Sequence, residues 1–182
     1  MRKEKGEFGY LHYLKVYHLL MTLVCLTVVM ILVMIGFFRY HSMNHIYTVI
    51  AAVMAIPAAK FFVEYLVLIP YEGHSREVYE KLDDDNYRLL TELVITSEQK
   101  IMYVDFAIVK GKKVYCCATG KKMDSKELEK YLHKILNSEF DGVTVKVIND
   151  LKKFKKEAEH IKNTQSNLRD KRIAELLCIY SM

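Results

Sequence analysis

KIMYVDFAIVKGKKVYCCATG, Lys100 to Gly120, decides the fold of more than half the chain. Met102, Val104, Phe106 and Ile108 make one face of an extended segment. Ile101, Tyr103, Asp105, Ala107 and Val109 make the other, apolar but for Asp105. A strand apolar on both faces belongs in the middle of a sheet. Gly111 marks a tight Lys-Gly-Lys turn, and KKVYCCATG returns as the next strand. Asp105 is the only acid in this run. It is either a metal-binding carboxylate or a buried acid held by backbone, Tyr or Lys.

Toward the N-terminus, YRLLTELVITSEQ reads as a strand centred on Leu89 to Thr96. Before it, Ser75 is placed to cap a short helix through about Leu82. Asp83 to Asp85 lack the glycine and terminal glutamate of a calcium loop, so they read as a solvated turn. Toward the C-terminus, DSKELEKYLHKILNSEF is a helix with Asp124 as cap, Glu127 in capping-box position and an apolar stripe from Leu128 to Leu136. Asp141-Gly142 turns the chain into VTVKVI, a fourth strand. Asp150 caps LKKFKKEAEHI, whose Lys152, Lys153, Lys155 and Lys156 read as a solvated face or as a contact for anionic lipid headgroups. Residues 171–182 fit a short helix or a last strand equally well. Residues 71–182 are thus expected to form a small α/β domain: helix, three-stranded meander, helix, strand, helix. About 110 residues suffice for one modest core.

Upstream the composition changes. VYHLLMTLVCLTVVMILVMIGFF, Val16 to Phe38, has no charged residue. It is long enough to cross a hydrocarbon core of ~30 Å. It is too long for a signal-peptide core, and no small-x-small cleavage site comes after it. After a polar break, Arg39 to His45, a second apolar run spans Ile46 to Ile69. Two spans joined by a short loop make a transmembrane hairpin. Residues 1–15 carry Arg2, Lys3, Lys5 and Lys15, whereas the loop offers one Arg. The positive-inside bias therefore predicts a multi-pass cell-membrane protein with both termini cytoplasmic.

The second span carries Lys60 and Glu64, four residues apart and so on one helical face. A charge at that depth costs roughly 2.5–3.5 kcal/mol. The pair reads as an internal ion pair, as a bundle interface, or as part of a transport path. Pro57 and the small residues Ala51, Ala52, Ala55, Ala58 and Ala59 favour close helix approach and self-association over conduction.

Residues 71–182 hold 21 basic and 19 acidic side chains. That near balance weakens any nucleic-acid reading. Cys25, Cys116, Cys117 and Cys178 show no zinc spacing and read as reduced thiols. His12, His18, His41, His45, His74, His133 and His160 are scattered. No phosphate-binding glycine loop, nucleophile elbow or zincin motif is present.

The order of elements over residues 75–160, with VDF on the second strand, resembles the core of the PD-(D/E)XK nuclease superfamily. The VDFAIVKGKKVY hairpin is most similar to its nuclease-related NERD branch. The resemblance implies a divalent metal held by Asp105, with Glu80 as an optional upstream ligand. In that family a Glu-x-Lys on the third strand completes the site; here Cys116, Cys117, Ala118 and Thr119 stand there. Lys121 and Lys122 lie past the strand. One carboxylate cannot by itself organise a metal and activate water. Glu92 is the one nearby acid that could complete the site, depending on register.

The expected function is that of a non-catalytic binding or scaffold module on a two-helix anchor, without cofactor. Its partner would be a protein or a second copy met through the spans. The alternative is a membrane-tethered, metal-dependent nuclease with a rearranged site at Asp105 and Glu92.

Overall fold

The computed structural model describes residues 4–40, 46–83, 87–97, 100–120, 124–161 and 168–182. The chain forms two compact units, Leu11–Glu72 and a second built from Met1–Tyr10 with Gly73–Met182.

The first unit holds two long helices, α1 (Tyr10–Tyr40) and α2 (Ile46–Leu68). Both are long and apolar enough to cross a membrane. Most of their large apolar side chains are exposed, including Phe38, Val49 and Ile56. Contacts between them run antiparallel. Lys15 Nζ donates to the carbonyls of Tyr71 at 2.6 Å and Ile69 at 3.3 Å, beyond the end of α2. An ammonium there meets carbonyls that have no intrahelical donor, and it suits the negative end of the helix dipole. Further in, the rings of His18 and Phe61 lie 6.0 Å apart. Pro57 sits inside α2, where its missing N–H leaves one carbonyl of the preceding turn without its usual donor. The connecting residues His41 to His45 lie outside the described residues.

The second unit contains α3 (Arg76–Leu82), β1 (Arg88–Thr96), β2 (Ile101–Lys110), β3 (Lys113–Cys117), α4 (Ser125–Glu139), β4 (Thr144–Ile148), α5 (Leu151–Ile161) and α6 (Leu168–Ile179). The sheet order is β1-β2-β3-β4. The first two pairings are antiparallel and β3–β4 is parallel, which α4 makes possible as the crossover. Strand β2 is buried along almost its whole length, as a strand apolar on both faces should be. Leu128, Leu132 and Leu136 of α4 and Ile173, Ala174 and Leu177 of α6 cover one face of the sheet. Leu82 of α3 and Phe154 and Ala158 of α5 cover the other. The C-terminal segment that fits helix or strand equally well is a helix.

Local signals act where the sequence places them, with two differences. Asp124 Oδ1 accepts from Lys126 N at 3.0 Å and Asp150 Oδ1 from Lys152 N at 2.8 Å. Glu127 does have a partner, but its Oε2 meets Lys100 Nζ at 2.6 Å. Ser75 begins α3 without a side-chain cap. Gly111 takes φ +61 in the hairpin turn, and its N–H donates to Asp170 Oδ1 at 2.6 Å, tying the turn to α6. Asp84, Asp85, Lys121 and Lys122 lie outside the described residues.

The alternation expected along β2 does not hold throughout. Met102 and Val104 share a core with Ala107 and Val109, whereas Phe106 and Ile108 lie in the opposite core. The pattern slips by one residue at Asp105. On β1 it slips likewise, since Leu90, Leu93 and Ile95 share one core. The cause sits between them: Glu92 has φ +55, a left-handed conformation that breaks the pleat and turns the next side chains toward the other face.

The segment before α1 is a strap on the sheet edge. Gly6 O accepts from Thr91 N at 2.9 Å and from Thr91 Oγ1 at 3.2 Å. Lys5 Nζ donates to Ser181 O at 2.6 Å. The C-terminal tail meets the same strand: Ser181 bridges Ile95, and Met182 N donates to Val94 O at 2.9 Å.

Candidate functional site

Asp105 is 3% exposed. Its Oδ2 accepts from Thr119 N at 2.6 Å and from Thr119 Oγ1 at 2.9 Å. Its Oδ1 lies 3.0 Å from His74 Nε2. A buried carboxylate requires such donors, because an unpaired charge in a low dielectric is costly. The arrangement also has a mechanical meaning. Thr119 lies just past β3 and His74 precedes α3, so one side chain in the central strand holds the ends of two other segments.

His74 is fixed from two directions. Its ring stacks on Phe106 with centroids 5.2 Å apart and planes 20° from parallel. The hydrogen bond to Asp105 raises its pKa above the usual histidine value; partial burial opposes the rise, the Asp105 and Glu92 charges add to it, and Lys155 opposes it. Among the histidines, nothing in the local sequence distinguishes His74. It lies 31 residues from its partner and belongs to no motif.

Glu92 falls opposite Asp105 in the β1–β2 register, between the pairs Thr91↔Phe106 and Leu93↔Val104. It is 6% exposed. Its carboxylate lies against the backbone of Gly73, where a methyl group would overlap Oε1. Tyr103 is buried beside both acids, and burial together with their charges pushes its phenol well above the ordinary range. Cys117 is buried nearby; burial, then Asp105 and Asp150, push its thiol up to about 12. Both groups are held neutral.

The other residues singled out in sequence stand apart from this cluster. Glu80 is exposed and paired with Arg76 Nε at 2.9 Å. Lys60 Nζ lies 4.0 Å from Glu64 Oε1, with the Lys60 side chain 72% exposed. Glu64 has a closer neighbour across the helix pair, His18 Nδ1, 3.1 Å from Oε2. Sequence reasoning missed His18 as it missed His74, because both partners come from another element.

As arranged, the cluster does not fit a divalent ion. Both Asp105 oxygens have internal partners, Thr119 at Oδ2 and His74 at Oδ1. Among the described residues, no three His, Cys, Asp or Glu side chains converge in a ligating group. Such an ion takes about six oxygen ligands, several of them charged. Comparison with protein-family models, with curated proteins and with solved structures finds no match for this chain.

Proposed function

We propose that the chain is a cell-membrane protein with a two-helix anchor, both termini cytoplasmic, and an α/β domain that serves as a binding or scaffold module rather than an enzyme. The observation that carries the non-catalytic reading is the engagement of Asp105. The acid best placed for metal chemistry pairs with His74 and accepts from Thr119, and so works as a structural clasp. The anchor is supported by the exposed apolar surfaces of α1 and α2. The orientation is supported by the basic residues at the N-terminus. It is supported too by the strap: residues 4–9 and 73–182 belong to one folded unit, so the segments entering and leaving the helix pair share a compartment. Lys60, exposed on an apolar helix, favours a protein partner or a second copy carrying an acid at that depth.

The metal-dependent nuclease is favoured by a single observation, the position of Glu92 opposite Asp105. It would require His74 and Thr119 to release the carboxylate. Calorimetric titration of the full-length protein in detergent with Mn²⁺ and with Mg²⁺ separates the two. The clasp predicts no saturable site, and an Asp105→Asn variant that is simply less stable. A stoichiometric site abolished by Asp105→Asn would replace the binding-module reading by the nuclease.

A further inference from the structure

The charge of the α/β domain is nearly balanced overall but not locally. Lys153, Lys156, Glu157 and His160 recur on α5 at spacings of three, four and seven, so they form one stripe along the helix. Strand β4 supplies a second wall, with Lys146 pointing to the same space and Ile148 lining it. Together these residues bound a groove of about 330 Å³. Three lysines and a histidine therefore face a concavity that holds one carboxylate. That carboxylate is already matched, since Lys146 Nζ meets Glu157 Oε1 at 2.5 Å. The hydrogen bond from Lys146 and the charges of Lys146, His160 and Lys113 keep Glu157 below the usual carboxylate range, as a positive local potential requires.

With Glu157 committed to Lys146, Lys153 and Lys156 have no acid among the groove's lining residues to neutralise them. Like charges on a concave surface repel, and the low-dielectric wall concentrates their field inside the groove. The comparable basic stripe on α4 differs in one respect. Lys126, Lys130 and Lys134 line a hollow of similar volume formed by α4 alone, so no second element faces them across it. Convergence from two elements is what separates a binding groove from a solvated helix face.

We propose that the β4–α5 groove binds a phosphomonoester carried on a small polyol, with Lys153 and Lys156 on the phosphate and the ring against Ile148. Lysine suits this role as a mobile point charge with three donors. The volume suits one sugar- or cyclitol-sized group. The chemistry is the same whether the group is a phospholipid headgroup or a free polyol phosphate. The site is separate from Asp105, so a metal found there would leave this inference untouched.

The test uses full-length protein in phosphatidylcholine nanodiscs, with inositol trisphosphate as the soluble probe and nanodiscs doped with a phosphatidylinositol phosphate as the lipid probe. Lys153→Gln with Lys156→Gln removes two charges from the groove. Lys130→Gln with Lys134→Gln removes two from α4 and serves as control. One-to-one binding of the soluble probe, weakened about tenfold per groove lysine lost and unchanged by the control pair, is the expected result. A response confined to doped nanodiscs and lost only with the groove pair supports the same site with a lipid as its source. Loss of binding equally in both pairs would reduce the effect to diffuse charge and overturn the site, as would no response to either probe.

Discussion

At the scale of single residues, the His74–Asp105 contact makes a directional statement about pH. The folded-state pKa of His74 lies above its unfolded value, so protonation favours the folded form. The contribution is complete below the unfolded pKa, about 6.5, and is lost as pH rises through the higher folded value. Thermal melts of the full-length protein should therefore show a melting temperature that declines across this window, and His74→Gln should flatten the decline. A parallel decline in His74→Gln would assign it to other groups. Asp105→Asn should flatten it too, and should cost about 1–3 kcal/mol because a buried acceptor of charge-assisted bonds is weakened. The thiols give a second check. Burial pushes Cys116 and Cys117 up to about 12, and both are fully enclosed. Since thiolate is the reactive form, iodoacetamide should leave both unmodified until the domain unfolds, with half-buried Cys178 labelled before them in peptide mapping. Early labelling of Cys117 would mean that the sheet face beneath α5 opens in the native state.

At the scale of elements, the features legible in advance were local. The Gly111 turn, the Asp124 and Asp150 caps and the leucine stripe of α4 all lie within a few residues of the features they specify, so periodicity and turn chemistry find them. The features that stayed hidden were tertiary. The slip at Glu92 and Asp105 depends on one left-handed residue in a strand, which no propensity marks. His74 finds Asp105 across 31 residues of chain, and residues 171–182 are too short and too apolar for period to separate helix from strand. The strap on β1 was equally hidden, because its contact is carried by the backbone of Gly6. Gly6 takes φ +85, and an added Cβ would lie 2.8 Å from Leu90 Cδ2. Gly6→Ala should therefore cost roughly 1–2 kcal/mol and speed hydrogen exchange at the Thr91 amide, whose acceptor is Gly6 O. Unchanged protection there would show that the strap does not hold the edge in solution.

At the scale of the whole molecule, the proposed two-helix anchor has a testable consequence, because residues 4–9 and 73–182 belong to one unit. Reporters fused at each terminus should both signal from the cytoplasmic side, and alkaline carbonate should leave the protein in the membrane fraction. Opposite sides for the two reporters would be incompatible with a strap that folds with residues 73–182. The strap also bears on the order in which the protein can be made. Gly6 leaves the ribosome before either apolar helix, whereas Ser181 and Met182 emerge after every strand of the sheet. Lys5 and Ser181, 176 residues apart, meet beside the same edge strand. The part of the β1 edge at Val94 and Ile95, which Met182 and Ser181 cover, therefore stays open until after β4 and α6 have been made. For that interval it is available to chaperones or to a neighbouring nascent chain, whereas Gly6, made earlier, can meet Thr91 as soon as β1 emerges.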